Sequence, residues 1–382
     1  MVLTASVLNA QTPVPKVSPS FGVDTTLADV GDIYGLVRAY LAKPDTSAAA
    51  RAFWSTSDPE GDLHLRFAYQ GFPATVLGVT SVAPGDSEYV IKILYATTDD
   101  SGRQVMPVAL QRLYAVRAPG ARFGWLLSNA LRRTTRSWPM HRAGRIVFHY
   151  APAQSPDPER AARAAAFVDS VAAIFAVAPP ARIDCYVTAS PDEYLRALGL
   201  DFFPLPSGRG TATGGQTLAD QHIVLSGDPA QGEAYLHEFV HAVLGRRIGG
   251  GALLGEGLPV WFGGSKGRPA SDMYKLLARF QESQPDVTLE ALVRGDAGGP
   301  RADDALQATG ALYVEAIHRR GGFPAVRALL GAPNDAEGLL GSMKQHLALR
   351  DSQALESWWR NSARAAAGGA AKLPVPEKPA GR

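Results

Sequence analysis

Between Tyr235 and Leu244 the chain reads Tyr-Leu-His-Glu-Phe-Val-His-Ala-Val-Leu, and this decapeptide restricts the fold more than any other stretch. His237 and His241 stand four residues apart, so on a helix their imidazoles share one face about one turn apart. Leu236, Phe239, Val240, Val243 and Leu244 give the same helix apolar surface to bury. The chain must therefore pack this helix into a core while keeping two imidazoles side by side. Two ring nitrogens at that separation can bind one tetrahedral metal ion. Glu238, directly after the first histidine, can reach a water on that ion without being a ligand.

The histidine pair with its intervening glutamate is the H-E-x-x-H arrangement found in zinc-dependent hydrolases. A catalytic zinc needs a third protein ligand and one position left open. Glu256 is the candidate, fifteen residues after His241 in Gly255-Glu256-Gly257-Leu258-Pro259-Val260-Trp261. Glycines 249–251 allow a turn after the first helix, and a second helix is expected to begin near Glu256, with Pro259 in its first turn. The first helix is expected to open at Asp228-Pro229.

Taken together, His237-Glu238-x-x-His241 and Glu256-Gly-Leu-x-x-Trp261 resemble the gluzincin (peptidase MA-like) metallopeptidases. The resemblance spans roughly residues 141–345. Pro259 stands where a small residue is usual, and the spacing to Glu256 is shorter than in thermolysin or the M1 aminopeptidases. The resemblance implies a zincin-like domain, a Zn2+ cofactor held by His237, His241 and Glu256, Glu238 as general base, and a peptide or protein substrate. It also implies a donor to the developing oxyanion, for which Tyr313 is the candidate, with His318 and Tyr274 as weaker ones. The strand His222–Leu225 is expected to form the upper edge of the cleft. Two other readings stay open: a zinc-bearing scaffold without catalysis, and small-molecule binding by the N-terminal part.

The rest of the chain reads as follows. Residues 21–138 carry a helical pattern over Thr25–Ala42, a second short one over Ala48–Trp54, and then strand-like runs at 74–82, 88–97, 105–116 and 123–127. Helices followed by an antiparallel meander resemble the nuclear-transport-factor-2-like (NTF2-like) cone. Residues 139–362 alternate strands and helices and hold the motif. The fold class expected is therefore α+β, a small cone-like domain followed by a zincin-like peptidase domain. Residues 1–20 read as a signal remnant and Pro-rich linker, and 363–382 as a disordered Ala/Gly/Pro-rich tail. Met1–Ala10 reads either as the back half of a secretory signal or as a plain N-terminus; the first reading implies a periplasmic or secreted location. Cys185, the single cysteine, lies in an apolar run and reads as a core residue. His64 and His141 read as structural or surface residues.

With 38 basic and 36 acidic residues, formal net charge is +2. No single-sign run points to nucleic acid or an anionic membrane, and no apolar run reaches the ~18 residues a membrane span needs.

Overall fold

The computed structural model describes residues 15–43, 48–56, 68–99, 101–203, 214–299 and 301–368. It is an α+β chain with two mixed sheets, divided into two compact units. Among the described residues no helix is long and apolar enough to cross a membrane.

The first unit contains strands β1 (Val17–Pro19), β2 (Ala74–Ser81), β3 (Glu88–Thr98), β4 (Val105–Arg117) and β5 (Trp125–Ser128) in that sheet order. β1 joins β2 in parallel and the others run antiparallel. Its helices are α1 (Ala28–Leu41), α2 (Ala48–Arg51) and α3 (Leu131–Thr135). Alternation along β3 turns Ile91, Ile93 and Tyr95 inward, all fully buried, as are Ile33, Val37, Tyr40 and Leu41 of α1. β1 lies inside the stretch assigned by sequence to a linker. A proline-rich segment can take an edge position because proline only lacks a donor there.

A second correction concerns residues 188–213, which the sequence reading gave to the C-terminal domain. Of these, the described residues 188–203 cluster with the first unit. Helix α5 (Pro191–Ala197), capped by the Ser190 side chain, leads into β9 (Leu200–Phe202), which pairs with Leu110 and Gln111 of β4. The Arg112 guanidinium reinforces the join, reaching the Asp201 carboxylate at 3.1 Å and the Arg196 carbonyl at 3.1 Å. A charged pair between distant segments leaves no local periodic signal, so sequence pattern could not show it.

The second unit holds strands β6 (Met140–Ala143), β7 (Ile146–Tyr150), β8 (Ile183–Val187), β10 (Gly215–Leu218) and β11 (Ile223–Ser226), in the order β10-β11-β8-β7-β6. β11, β8 and β7 run parallel, and β10 and β6 are antiparallel outer strands. The parallel centre is buried on both faces, which is why β8 reads as a continuous buried run containing Cys185. Helix α4 (Pro158–Phe175) links β7 to β8, its N-terminus capped by Asp157. The motif helix α6 (Leu236–Leu244), α7 (Gly251–Gly263), α8 (Ala270–Ser283), α9 (Leu289–Arg294), α10 (Ala302–Ala328, kinked at Gly322), α11 (Ala336–Leu347) and α12 (Ser352–Ala367) follow.

Four expectations are corrected here. β11, which includes most of the strand proposed as the cleft edge, lies inside the sheet between β10 and β8; the outer strand is β10. Helix α6 opens at Leu236 rather than at Asp228-Pro229, because the intervening Glu233 carboxylate is held elsewhere: it accepts from the Tyr150 hydroxyl at 3.0 Å and the Asp157 amide at 2.7 Å. Helix α7 opens at Gly251, so Pro259 sits well inside it. The lost ladder bond falls at the Gly255 carbonyl. Finally, α12 carries regular structure to Ala367, with Ala363 fully buried, into the range read as a tail. His64, most of the glycine-rich run at 207–215, the first ten residues and residues 369–382 lie outside the described residues.

Candidate metal centre

Helix α6 is buried along its apolar side by Phe239, Val240, Ala242, Val243 and Leu244, and this fixes its rotation about its axis. His237 and Glu238 are themselves 6% and 7% exposed. The next helix, α7, crosses close by. A Cβ built on Gly263 would lie 2.3 Å from the His237 backbone nitrogen, so only glycine permits this approach. On its other side α7 presses against α10 at Gly257 and Gly310, where added Cβ atoms would sit 2.5 and 2.0 Å from backbone atoms of the partner helix. The Trp261 indole nitrogen donates to Glu315 of α10 at 2.7 Å, and Arg319 also binds that carboxylate. α7 is thus held from both sides, and Glu256 with it.

The result is a three-residue cluster. His237 Nε2 lies 3.3 Å from His241 Nε2 and 3.3 Å from Glu256 Oε2, and His241 Nε2 lies 3.8 Å from Glu256 Oε1. Among the described residues this is the group of His, Cys, Asp and Glu whose ligand atoms converge, all within 4.8 Å of one another. Ligand atoms ~2.0–2.1 Å from a tetrahedral zinc lie about 3.3 Å from each other. The donor set of two imidazoles and a carboxylate therefore fits such an ion in both type and spacing. A bond from the far side orients the ring: His237 Nδ1 stands 2.8 Å from the Gly264 carbonyl. With its Nδ1 proton given to that oxygen, neutral His237 presents the Nε2 lone pair to the cluster.

Burial and mutual charge act differently on the three side chains. Burial alone would raise the Glu256 carboxyl, but the His237 hydrogen bond and the charges of His241 and His237 hold it well below the usual carboxylate range. Burial pulls His237 down, yet Glu256, Glu238 and the Gly264 carbonyl outweigh it and raise its pKa above the ordinary 6.5. His241 moves the other way, lowered chiefly by burial and further by His237.

Glu238 stands beside the cluster without joining it, its carboxylate bound by the Thr217 hydroxyl of β10 at 2.7 Å. Tyr313 is elsewhere engaged. It is fully buried on α10 and its hydroxyl is 2.7 Å from His346 Nδ1 on α11; burial pushes its pKa up. Tyr274 is likewise buried, with its hydroxyl 3.4 Å from the Ala311 carbonyl. His318 packs on the Trp261 ring, centroids 5.1 Å apart. The residue missed by sequence reading is Thr217. A threonine in a short polar strand carries no signal until the fold sets it against Glu238.

No model of a known protein family matches this chain, and comparison with curated proteins finds no significant match.

Proposed function

We propose that the protein is a zinc-dependent peptidase of gluzincin type. The observation that carries this reading is the convergence of His237, His241 and Glu256 at tetrahedral-edge distances, with the unligated Glu238 carboxylate alongside. His237, His241 and Glu256 would hold the zinc ion, which would supply Lewis acidity and acidify water there. Glu238 is placed to accept a proton next to the cluster and return it to the leaving amine. A site built only to hold metal needs no adjacent carboxylate and is normally closed by a fourth protein ligand.

Two further features support the reading. The parallel core of β11, β8 and β7 ends in an antiparallel outer strand, β10. Among the described residues β10 pairs only with β11, so an extended peptide can add to its free side by strand addition. Helix α10 packs on α7 at Gly257 and Gly310, which supports a zincin-like domain with a helical half after the motif. The helix-then-meander order of the first unit supports an NTF2-like fold for it. The Tyr313 hydroxyl is paired with His346, so a part for it as oxyanion donor would require it to leave that partner.

Elemental analysis of the purified chain tests the proposal: one zinc per chain is expected, and Glu256→Ala should hold much less. Hydrolysis of a quenched-fluorescent peptide mixture should fall about 10²- to 10⁴-fold in Glu238→Gln while zinc content stays at the parental level. Full hydrolysis by Glu238→Gln would remove the catalytic assignment, and a zinc-free parent would remove the metal.

A further inference from the structure

A buried carboxylate needs donors, because water no longer supplies them. Glu238 is 7% exposed. Among the described residues the hydrogen-bond donor to its side chain is the Thr217 hydroxyl, 2.7 Å from Oε2. The same oxygen lies 2.9 Å from the Glu238 backbone carbonyl. A hydroxyl has one proton to give, and an ionised carboxylate is the stronger acceptor of the two. Thr217 is also stiff about its first side-chain torsion, being β-branched, so the position of its hydroxyl oxygen is well defined.

The placement of Thr217 matters as much as the bond. It stands on β10, paired with Val224 of β11, at the outer edge of the sheet. The contact therefore joins the outer strand among the described residues to the first turn of the helix that bears His237 and His241.

We infer that Thr217 is a positioning residue: its hydroxyl fixes the orientation of the Glu238 carboxylate and ties that orientation to strand β10. This rests on the hydrolase reading, and it adds a dependence that reading does not contain. A base must be held within a narrow range of angles to take a proton as the new bond forms. Without Thr217, the Glu238 side chain keeps its place in the sequence and loses the bond that aims it. A substrate strand pairing with β10 would lie along the same segment that carries the hydroxyl.

The test uses the full zinc-loaded chain with Thr217→Val, which keeps the shape and removes the hydroxyl, and Thr217→Ser, which keeps the hydroxyl. Thr217→Ala gives the same comparison should valine crowd the site. The first readout is turnover of the peptide mixture. Thr217→Val should lower kcat about 10- to 100-fold with little change in KM and in zinc per chain, and Thr217→Ser should restore most of it. The second is independent of turnover: calorimetric affinity for acetohydroxamic acid, a metal-seeking probe whose hydroxyl needs an aimed carboxylate as acceptor. Thr217→Val should weaken it in the parent and add nothing in Glu238→Gln. Parental kcat and parental hydroxamate affinity in Thr217→Val, beside an active parent, overturn this assignment alone. So does an equal loss of affinity in both backgrounds. A zinc-loaded parent that neither hydrolyses peptides nor binds the hydroxamate overturns the hydrolase reading, and this assignment with it.

Discussion

His237 and His241 sit one turn apart in one helix, yet their surroundings push them in opposite directions. In the metal-free protein, nuclear magnetic resonance titration should find His237 releasing its proton above 6.5 and His241 below it. The consequence for stability has a definite sign. His237, raised, contributes stability that is complete below its unfolded value of 6.5 and disappears as pH rises through its folded value. Glu256, depressed, contributes stability present above its unfolded value of 4.5 and lost as pH falls toward its folded value. The pair therefore helps the metal-free protein most between pH 4.5 and 6.5. Urea unfolding of metal-free parent and Glu256→Gln should differ most in that window and converge above it. Zinc binding runs against this, since both imidazoles must be neutral to coordinate. Apparent zinc affinity should rise with pH as His237 gives up its proton, which competition with a chelator at several pH values would measure.

At the scale of elements, the position of Glu256 depends on how closely α7 can approach its neighbours. Gly310→Ala puts a methyl 2.0 Å from the Leu253 carbonyl oxygen, a backbone atom that cannot swing aside. We expect a loss of about 1–3 kcal/mol in thermal unfolding, with weaker zinc binding because α7 carries Glu256. Unchanged zinc affinity in a destabilised variant would show that the ligand tolerates movement of its helix. The sequence made much of this part legible. The spacing of His237, Glu238 and His241, the apolar positions around them and the strands β2, β3, β4, β7 and β8 could all be read from periodicity. Where reading failed, a distant contact had overridden a local signal. Asp228-Pro229 is a good helix opening, but the burial of Glu233 against Tyr150 and Asp157 delays the helix to Leu236. Pro259 looked like a first-turn residue, and the helix instead absorbs it in its interior, at Gly255. Likewise β11 reads as a strong strand, yet nothing local reveals that the weaker β10 takes the edge.

For the whole molecule, the telling feature is that the two units are interleaved along the chain. It leaves the second sheet at Val187 and returns at Gly215, having supplied α5 and β9 to the first unit. Val187 and Gly215 both pair with Ser226, on opposite sides, so they lie about 10 Å apart. A Gly/Ser linker of about four residues can span that gap. A chain of residues 140–382 with 188–213 replaced by such a linker should therefore fold and take up zinc, whereas the plain truncation, which strands β9 without β4, should unfold at lower temperature. Differential scanning calorimetry and metal content compare the two. The same interleaving sets a timetable for a ribosome. Strand β4 leaves the exit tunnel well before β9, and on the order of ten seconds of synthesis separates them. Through that interval the Leu110–Gln111 rim has no cover, while much of the other sheet is already emerging. A nascent polypeptide of this kind has an early window in which it is open to mispairing with its neighbours on a polysome, one that closes only when Phe202 arrives.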